Sequence, residues 1–368
     1  GAAWGAYRRL REPTSLEASY AHAPTRILII GGGFGGLSVA RELARALRGT
    51  DDVGVALVDR MNYTTFWPMV PSVIPSNAEL RHVAHSLRRI LKPLGVEFFQ
   101  SEVTGVDFEA RRVKTAERDY PFDYLVLAPG SRTTYFGTTG AEENALDVKG
   151  LSDALRVRNH VIDRFEEAEH LDGLAPEDLL TFVVVGGGPT GIEAAADMHD
   201  LIFDVLEDDY PNVDFDRVRV VLVNAGDQIL KGLDSSLVNA ATRRLASQRI
   251  EVINDARVQE VRSDAVAISD GRTIPTRTIV WAAGIEPPPL VGNLDVQKDQ
   301  RGRILVDQYL RVKDRPGVYA VGDCTSIQYD GPPVPALAQA AEQEGKRAAS
   351  NLVAEIENQA PVAFRYRS

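Results

Sequence analysis

The chain has 368 residues, a formal net charge of −11 and a pI of about 5.2. With 44% hydrophobic and 25% charged residues, it resembles an ordinary globular protein and is long enough for two domains. The acidic balance argues against nucleic acid as a partner and against bulk attraction to anionic lipid. A single cysteine, Cys324, excludes a disulfide framework, a paired-cysteine redox centre and a cysteine zinc site, and we predict no metal site. No apolar stretch reaches the roughly 18 residues of a membrane span.

A strand followed by a glycine-rich turn and a helix dominates the start of the chain. The apolar run 27–30 predicts a buried parallel strand, and Gly31, Gly33 and Gly36 follow it with G-x-G-x-x-G spacing. The first glycine permits the turn, the second lets a pyrophosphate approach, and the third lets the next helix pack on the strand. A second strand, 55–58, ends in Asp59, where an acid can accept hydrogen bonds from a ribose. This pattern predicts a dinucleotide site.

The following segments are interpreted from their periodicity. Residues 79–94 predict an amphipathic helix, and alternating apolar residues over 96–113 predict a small antiparallel piece. A buried strand over 125–127 ends in small residues, Ala128 to Gly130, where open α/β sheets bind their ligands. A charged helix is predicted from about 151 to 170.

The whole pattern restarts near residue 180. A strand over 182–185 leads into Gly186, Gly188 and Gly191, again with G-x-G-x-x-G spacing, and a further strand covers 218–223. Ala283 and Gly284 repeat the small-residue strand end, and a late strand from 317 ends in Asp323. The predicted fold is α/β, with two Rossmann-like dinucleotide-binding domains, the second inserted into the first. Both nucleotides are then expected to meet in one cleft.

The predicted domain bounds follow from this arrangement. The first dinucleotide domain comprises 24–147 and 290–348, and the second comprises 148–289. Residues 1–23 are interpreted as an N-terminal arm and 349–368 as the start of a C-terminal segment.

These motifs carry a resemblance to a known family. The paired glycine motifs, the two small-residue strand ends and the late Val-Gly-Asp at 321–323 resemble the two-dinucleotide-domain flavoprotein reductases. Within them, five segments are similar to the type II NADH dehydrogenases, the single-chain NADH:quinone oxidoreductases. These segments are Gly-Gly-Gly-Phe-Gly-Gly-Leu at 31–37, the Tyr-x-x-Phe-x-Pro loop at 63–68, the run Val-Val-Gly-Gly-Gly-Pro-Thr-Gly-x-Glu at 184–193, Gly-Asp-Cys at 322–324, and Ala-Gln-Ala-Ala-Glu-Gln-Glu-Gly at 338–345. The resemblance implies a non-proton-pumping enzyme that passes hydride from NADH to FAD and then two electrons to a quinone.

The resemblance also implies an FAD site on the first domain. Gly31, Gly33, Phe34 and Gly36 would take the pyrophosphate, Asp59 the adenosine ribose, Val103 the adenine and Asp323 the ribityl and pyrophosphate region. The remaining residues implied at the cofactor are Arg60, Ala128, Gly130 and Ala338.

On the second domain the resemblance implies an NADH site. Gly186, Gly188, Thr190 and Gly191 would hold the pyrophosphate, Ala283 and Gly284 would flank the nicotinamide, and Glu193 would bring a catalytic carboxylate to it. Alternatively, Glu193 is an acid that complements the dipole of its helix and has no catalytic role. Asn224 stands where the family usually has a glutamate for the ribose diol. NADH is the expected co-substrate, and use of NADPH is left open.

A late helix carries the predicted quinone site. Pro332, Pro333 and Pro335 forbid a helix, and we expect one to begin at Ala336, with its N-terminus facing the flavin. Gln339 and Gln343 are four residues apart and share a helical face. Their neutral amides can donate to quinone carbonyls, which is the role that the resemblance implies for them.

The chain departs from the family at its end, where it stops after a Phe-x-Tyr segment at 364–366. The family continues into more flavin cover and a membrane-docking region, so in this sense the C-terminal region is expected to be truncated. From the family we expect a cytoplasmic protein that is peripheral on the inner face of the cell membrane; a homodimer is left open.

Two alternatives remain at this point. One keeps the fold but transfers electrons to ferredoxin, rubredoxin or a soluble acceptor. The other is a nucleotide-sensing protein of the apoptosis-inducing-factor kind.

Overall fold

The computed structural model describes residues 19–329, 331 and 333–367. The predicted N-terminal arm lies outside this part of the chain except for residues 19–23. Pro332, which was expected to help exclude a helix, lies outside it as well.

The described residues form α-helices and β-strands. The helices are α1 (Phe34–Ala46), α2 (Leu80–Val83), α3 (Leu87–Leu91), α4 (Ala141–Asn144), α5 (Leu151–Glu169), α6 (Pro189–Asp200), α7 (Ser235–Ser247), α8 (Pro289–Asn293) and α9 (Ala338–Ile356). The strands are β1 (Thr25–Ile30), β2 (Val53–Asp59), β3 (Tyr63–Thr65), β4 (Ala84–Ser86), β5 (Glu97–Gln100), β6 (Val103–Asp107), β7 (Arg112–Thr115), β8 (Tyr120–Pro121), β9 (Tyr124–Leu127), β10 (Arg132–Thr133), β11 (Leu146–Asp147), β12 (Thr181–Val185), β13 (Arg219–Val223), β14 (Glu251–Ile253), β15 (Val258–Val261), β16 (Ala265–Ile268), β17 (Thr273–Pro275), β18 (Thr278–Trp281), β19 (Ile285–Glu286), β20 (Ile304–Val306), β21 (Val318–Ala320) and β22 (Thr325–Ile327).

The first compact unit contains the described residues as far as Thr64, then His85–Arg132 and those from Glu286 onward. Its centre is a five-stranded parallel sheet in the order β21-β9-β1-β2-β5. The middle strand β1 is buried along its apolar run, as its β-branched side chains predict for a strand covered on both faces. A three-stranded antiparallel sheet, β6-β7-β8, is attached to this unit.

The second unit contains Thr65–Ala84 and Thr133–Ile285. It repeats the parallel arrangement in the order β11-β18-β12-β13-β14 and carries its own antiparallel sheet, β15-β16-β17. Because the strands of this sheet lie in sequence between β9 and β21 of the first sheet, the second domain is inserted into the first. The predicted fold class is therefore confirmed.

The bounds of the two units differ from the predicted domain bounds. The division falls after Arg132 and before Glu286, where 147 and 289 were expected. The physical reason is that β11 pairs with β18, and α4 packs near β15, so residues 133–147, which were assigned to the first domain, are part of the second unit. Residues 65–84 also join this unit, because Val70, Val73 and Ile74 are buried in its core.

Two predicted elements take a different form. The helix expected over 79–94 is interrupted by the extended strand β4, so that prediction was wrong. Hydrogen bonds to distant backbone replace the helical ones here: Phe66 N donates to Val83 O at 2.7 Å, and Leu87 N donates to Asn62 O at 3.0 Å. The antiparallel sheet expected over 96–113 does not include the first of these strands, because β5 pairs with β2 in the parallel sheet instead.

Candidate dinucleotide sites

The turn after β1 has the geometry that its three glycines predict. Gly31 has φ +100°, and a methyl group added there would lie 2.1 Å from Ala128 O. At Gly36 an added methyl would lie 1.9 Å from Gly31 O, so the helix α1 packs directly on the turn. At Gly33, by contrast, no atom of the described residues lies within 4 Å of an added methyl. The open side of the turn is thus at the glycine that faces the pyrophosphate in a dinucleotide site.

Two carboxylates of the first unit are held in place at the ends of its strands. Asp59 accepts hydrogen bonds from Gly32 N at 2.6 Å and from Met61 N at 2.8 Å, and burial raises its pKa. Asp323 accepts a hydrogen bond from Ser131 Oγ at 2.6 Å. Both acids therefore lie at the carboxyl edge of the parallel sheet, where such sheets bind ligands.

The remaining residues predicted at this site lie in the same unit. Phe34 begins α1, and Arg60 is exposed directly after β2. Ala128 is buried and Gly130 is half-buried beyond β9, while Val103 begins β6. Ala338 is the first residue of α9, so the helix begins two residues after the expected Ala336.

The turn after β12 in the second unit reproduces this geometry. Gly186 has φ +124°, and a methyl group added there would lie 2.9 Å from the Ala282 backbone. A methyl added at Gly191 would lie 1.9 Å from Gly186 O, whereas a methyl added at Gly188 would have no atom within 4 Å in the part of the chain that the structure describes. Helix α6 then presents its N-terminal backbone amides, with Thr190 exposed in its first turn, which is an anion-binding arrangement.

Asn224, at the end of β13, is bound to its own loop. Its amide nitrogen donates to Gly226 O at 3.1 Å and to Asn254 Oδ1 at 2.8 Å, and its amide oxygen accepts from Gly226 N at 3.3 Å. Both of its N–H donors are therefore used, and only the oxygen keeps capacity for a ribose hydroxyl. The first basic residue beyond it, Lys231, pairs with Asp227 at 3.0 Å.

Glu193 is exposed in the first turns of α6, and partial desolvation raises the pKa of its carboxyl group. One turn further along lies Asp197, which the sequence interpretation missed although its i, i+4 spacing from Glu193 is visible. Burial and the charges of Asp200 and Glu193 raise the pKa of Asp197 to about 7. This face of the helix therefore holds acids that bind protons more readily than ordinary carboxylates do.

The strand end at Ala283 and Gly284 is covered by an aromatic side chain. Gly284 has φ +75°, and a methyl group added there would lie 2.1 Å from the ring of Phe136. Phe136 is itself 70% exposed and has φ +53°. Nothing in the glycine spacing of the sequence signals this contact.

The two glutamines on α9 are arranged differently from each other. Gln343 Nε2 donates to Arg367 O at 2.8 Å, and Arg367 N donates back to Gln343 Oε1 at 3.0 Å. Gln339 is exposed and reaches Arg367 O only at 3.5 Å. The side-chain amide of Gln343 therefore binds both the backbone N–H and the backbone C=O of Arg367 in the C-terminal segment, a contact that the sequence interpretation did not include.

Helix α9 packs on α1 through small residues. Ser38 Oγ donates to Glu342 O at 2.8 Å, and a methyl group added at Gly345 would lie 2.6 Å from Gly35 O. This close crossing fixes the first turns of α9 beside the first glycine turn. Cys324 is buried nearby, and burial raises the pKa of its thiol, so it is not a reactive thiolate.

Two parallel sheets with matching glycine turns define a protein built to bind two dinucleotides. The family model described as pyridine nucleotide-disulphide oxidoreductase matches residues 25–345. The type II NADH:quinone oxidoreductase Ndh of Mycobacterium tuberculosis is 32% identical over 345 residues, which are 90% of this chain and 73% of that protein. An external alternative NAD(P)H-ubiquinone oxidoreductase B1 of Solanum tuberosum is 32% identical over 325 residues, 82% of this chain and 55% of that protein. The chain thus spans little more than half the length of that plant relative.

A solved structure agrees in fold. NDH2 from Plasmodium falciparum, in complex with NADH, superposes with a TM-score of 0.80 at 21% identity, over 89% of this chain and 83% of that one. The chain belongs to the pyridine nucleotide-disulphide oxidoreductase family and, within it, to the type II NADH:quinone oxidoreductases. The resemblance found in the motifs is confirmed. Within the part of the chain that the structure describes, no helix is both long and apolar enough to cross a membrane.

Proposed function

We propose that this protein is an NADH:quinone oxidoreductase with FAD on the first unit and NADH on the second. The observation that carries the proposal is the pair of glycine turns, each closed at its first and third glycine and open at its second. Membership of the type II family supports the same reaction. When bound, FAD supplies the two-electron chemistry that links a hydride donor to a quinone.

The first unit's residues fit a flavin nucleotide. The open face at Gly33 and the α1 N-terminus, which Phe34 begins, suit a pyrophosphate, and Asp59 suits an adenosine ribose. Asp323 is proposed at the ribityl chain. The other proposed contacts are Gly31, Gly36, Arg60, Val103, Ala128, Gly130 and Ala338.

The second unit's residues fit a nicotinamide nucleotide. The open face at Gly188, with Gly186, Thr190 and Gly191, would hold the pyrophosphate, and Asn224 would accept a hydrogen bond from the ribose. We propose NADH as the main donor. Because Asn224 carries no charge to repel a 2′-phosphate, we also propose NADPH as a slower donor. Glu193 is proposed as the carboxylate beside the nicotinamide, which Ala283 and Gly284 would flank.

For the acceptor, we propose that Gln339 donates a hydrogen bond to a quinone carbonyl. Gln343 would act at the quinone site by holding the C-terminal segment through the Arg367 backbone, as well as by contacting the quinone directly. Because quinones reside in lipid, we further propose that the protein works peripherally at a membrane surface, on the cytoplasmic side.

One stopped-flow experiment tests the proposal. We expect the yellow flavin absorbance to bleach on mixing with NADH and to recover on adding a short-chain quinone. Ferredoxin and rubredoxin serve as control acceptors, for which we expect no recovery on the same timescale. A colourless protein that takes up no FAD, or a reduced protein that quinone fails to reoxidise, would contradict the proposal.

A further inference from the structure

Glu344 is a buried acid of the first unit for which the reaction above gives no role. It follows Gln343 on α9 and is only 3% exposed. Its carboxylate accepts a hydrogen bond from Gly322 N at 2.5 Å, in the turn that carries Asp323. Buried carboxylates are normally paired with a cation or neutralised by a proton. Among the described groups that act on its charge, none is a cation.

The residue faces a cavity rather than packed side chains alone. Glu344 lines a cavity of about 240 Å³ together with Asp323, Thr325, Tyr329 and Arg303. Arg303 binds Asp299 at 2.7 Å, so its charge is largely matched there. A cavity of this size and polarity has room for several water molecules. The cavity therefore allows water to lie beside the Glu344 carboxyl group.

The groups around Glu344 favour its neutral form. From the turn packed against it come Asp323 and the thiol of Cys324, and from the neighbouring loop comes the phenol of Tyr329. On the α1 side, the atoms nearest to a methyl group added at Gly345, the next residue, belong to the Gly35 carbonyl and the uncharged side chain of Ser38. Burial first, and then the charge of Asp323, raise the pKa of Glu344 to about 7 despite the hydrogen bonds from Gly322 N and from the Thr325 side chain.

Resting on the proposed flavin-dependent function, we infer that Glu344 takes up a proton when the bound flavin is reduced and gives it back when the flavin is reoxidised. The acid lines a polar cavity that has room for water, and its hydrogen bond from Gly322 links it to the turn proposed at the ribityl chain. Hydride transfer adds one net negative charge to that region. A neighbouring carboxylate then binds a proton more tightly, since like charges close together disfavour ionisation.

The overall reaction requires such a proton. NADH and a quinone give NAD⁺ and a quinol only if one proton from water is added to the two electrons and the hydrogen of the hydride. In the inferred cycle, water supplies this proton to the Glu344 carboxylate during flavin reduction. When the quinone takes the two electrons, the Glu344 carboxyl group loses the proton, which balances the second hydrogen of the quinol. At the end of the cycle, Glu344 is again in the ionised state in which it started.

The test is the pH dependence of the flavin midpoint potential, measured by titration of the purified holoenzyme between pH 6 and 9. For a two-electron couple, each proton taken up together with the electrons shifts the midpoint potential by about 30 mV per pH unit. Above pH ~7, where Glu344 ionises in the oxidised protein, we expect the wild-type slope to be steeper by this amount than that of Glu344→Gln. The glutamine keeps the acceptor for Gly322 N but cannot titrate. The matched control is Glu357→Gln, which removes an exposed acid at the end of the same helix and should leave the wild-type slope unchanged.

A second measurement detects the proton on the carboxyl group directly. In the redox infrared difference spectrum of the wild type at pH 8, we expect a protonated-carboxyl band to appear on reduction, and this band should be absent from Glu344→Gln. Equal slopes in the two proteins, or no carboxyl band, would overturn the inference while flavin bleaching by NADH still upheld the proposed function. Failure to bind flavin would overturn both.

Discussion

The two open glycines allow a crossed test of which nucleotide binds to which unit. Gly33 has φ −78° and ψ −166°, and Gly188 has φ −81° and ψ 176°, conformations that alanine adopts without strain. Because an added methyl group at either position has no neighbour within 4 Å among residues 19–329, 331 and 333–367, neither Gly33→Ala nor Gly188→Ala should weaken the fold. Both should raise stability slightly, by about 0.4–1 kcal/mol, through the unfolded chain.

The effect on binding should be large and confined to one nucleotide in each variant. A methyl group forced into a close contact costs roughly 1–3 kcal/mol, which is about 5- to 150-fold in affinity. We therefore expect Gly33→Ala to lose flavin on dialysis and to bind NADH as the wild type does. Gly188→Ala should retain flavin and show a KM for NADH raised by roughly the same factor.

The assay combines flavin absorbance per protein after dialysis with steady-state kinetics at saturating added FAD, and thermal melting confirms that each variant is folded. As a contrast, Gly31→Ala forces a left-handed residue against Ala128 O and should unfold the first unit. The reasoning is refuted if Gly33→Ala holds flavin normally, or if Gly188→Ala loses flavin instead of NADH affinity.

Three further outcomes are expected. Gln343→Ala should expose the C-terminal segment to limited trypsin cleavage, because both hydrogen bonds to the backbone N–H and C=O of Arg367 are lost. Mass spectrometry of the fragments measures this cleavage. Gln339→Ala should keep the segment protected and raise the KM for quinone instead. Equal protection in both variants would contradict this. Asn224→Asp should lower kcat/KM with NADPH relative to NADH, because a carboxylate there would repel the 2′-phosphate. It should also lower Tm, since it removes the donors to Gly226 O and Asn254 at a cost of about 1–3 kcal/mol. An unchanged ratio of kcat/KM between the two nucleotides would count against this reasoning. Phe165→Ala should cost about 3–5 kcal/mol in urea unfolding, because its buried ring stacks on Phe182 at 5.7 Å, and a loss below 1 kcal/mol would show that the core readily collapses around the vacancy.

The parts of the fold that could be predicted are those fixed by short-range pattern. The apolar runs before Gly31 and Gly186 are buried strands because both faces of a parallel sheet are covered, and the glycine spacing imposes the turn that follows. The charged helix α5 was also predicted to within a residue of its ends. In each case the local signal and the tertiary environment favour the same conformation.

The parts that could not be predicted depend on distant backbone. Residues 79–94 have helical periodicity, yet Val83 O and Leu87 N bond to segments on the other side of a loop, and these bonds outweigh the propensity. Ser86 was an available signal, since it caps α3 by accepting from Arg89 N. The peptide contact of Gln343 and the burial of Glu344 could not be inferred, because a helical face does not show which neighbours will cover it.

The division of the first unit into three separated stretches has a consequence during synthesis. Ser38 bonds to Glu342, 304 residues further along the chain, and the edge strand β21 is translated after the whole second sheet. Domains generally fold as units while the chain emerges from the ribosome, and contacts between distant residues form slowly. A nascent chain that has emerged from the ribosome only as far as Glu286 would thus carry all residues of the second unit, while its first unit would still lack both the edge strand β21 and the helix α9 that packs on α1.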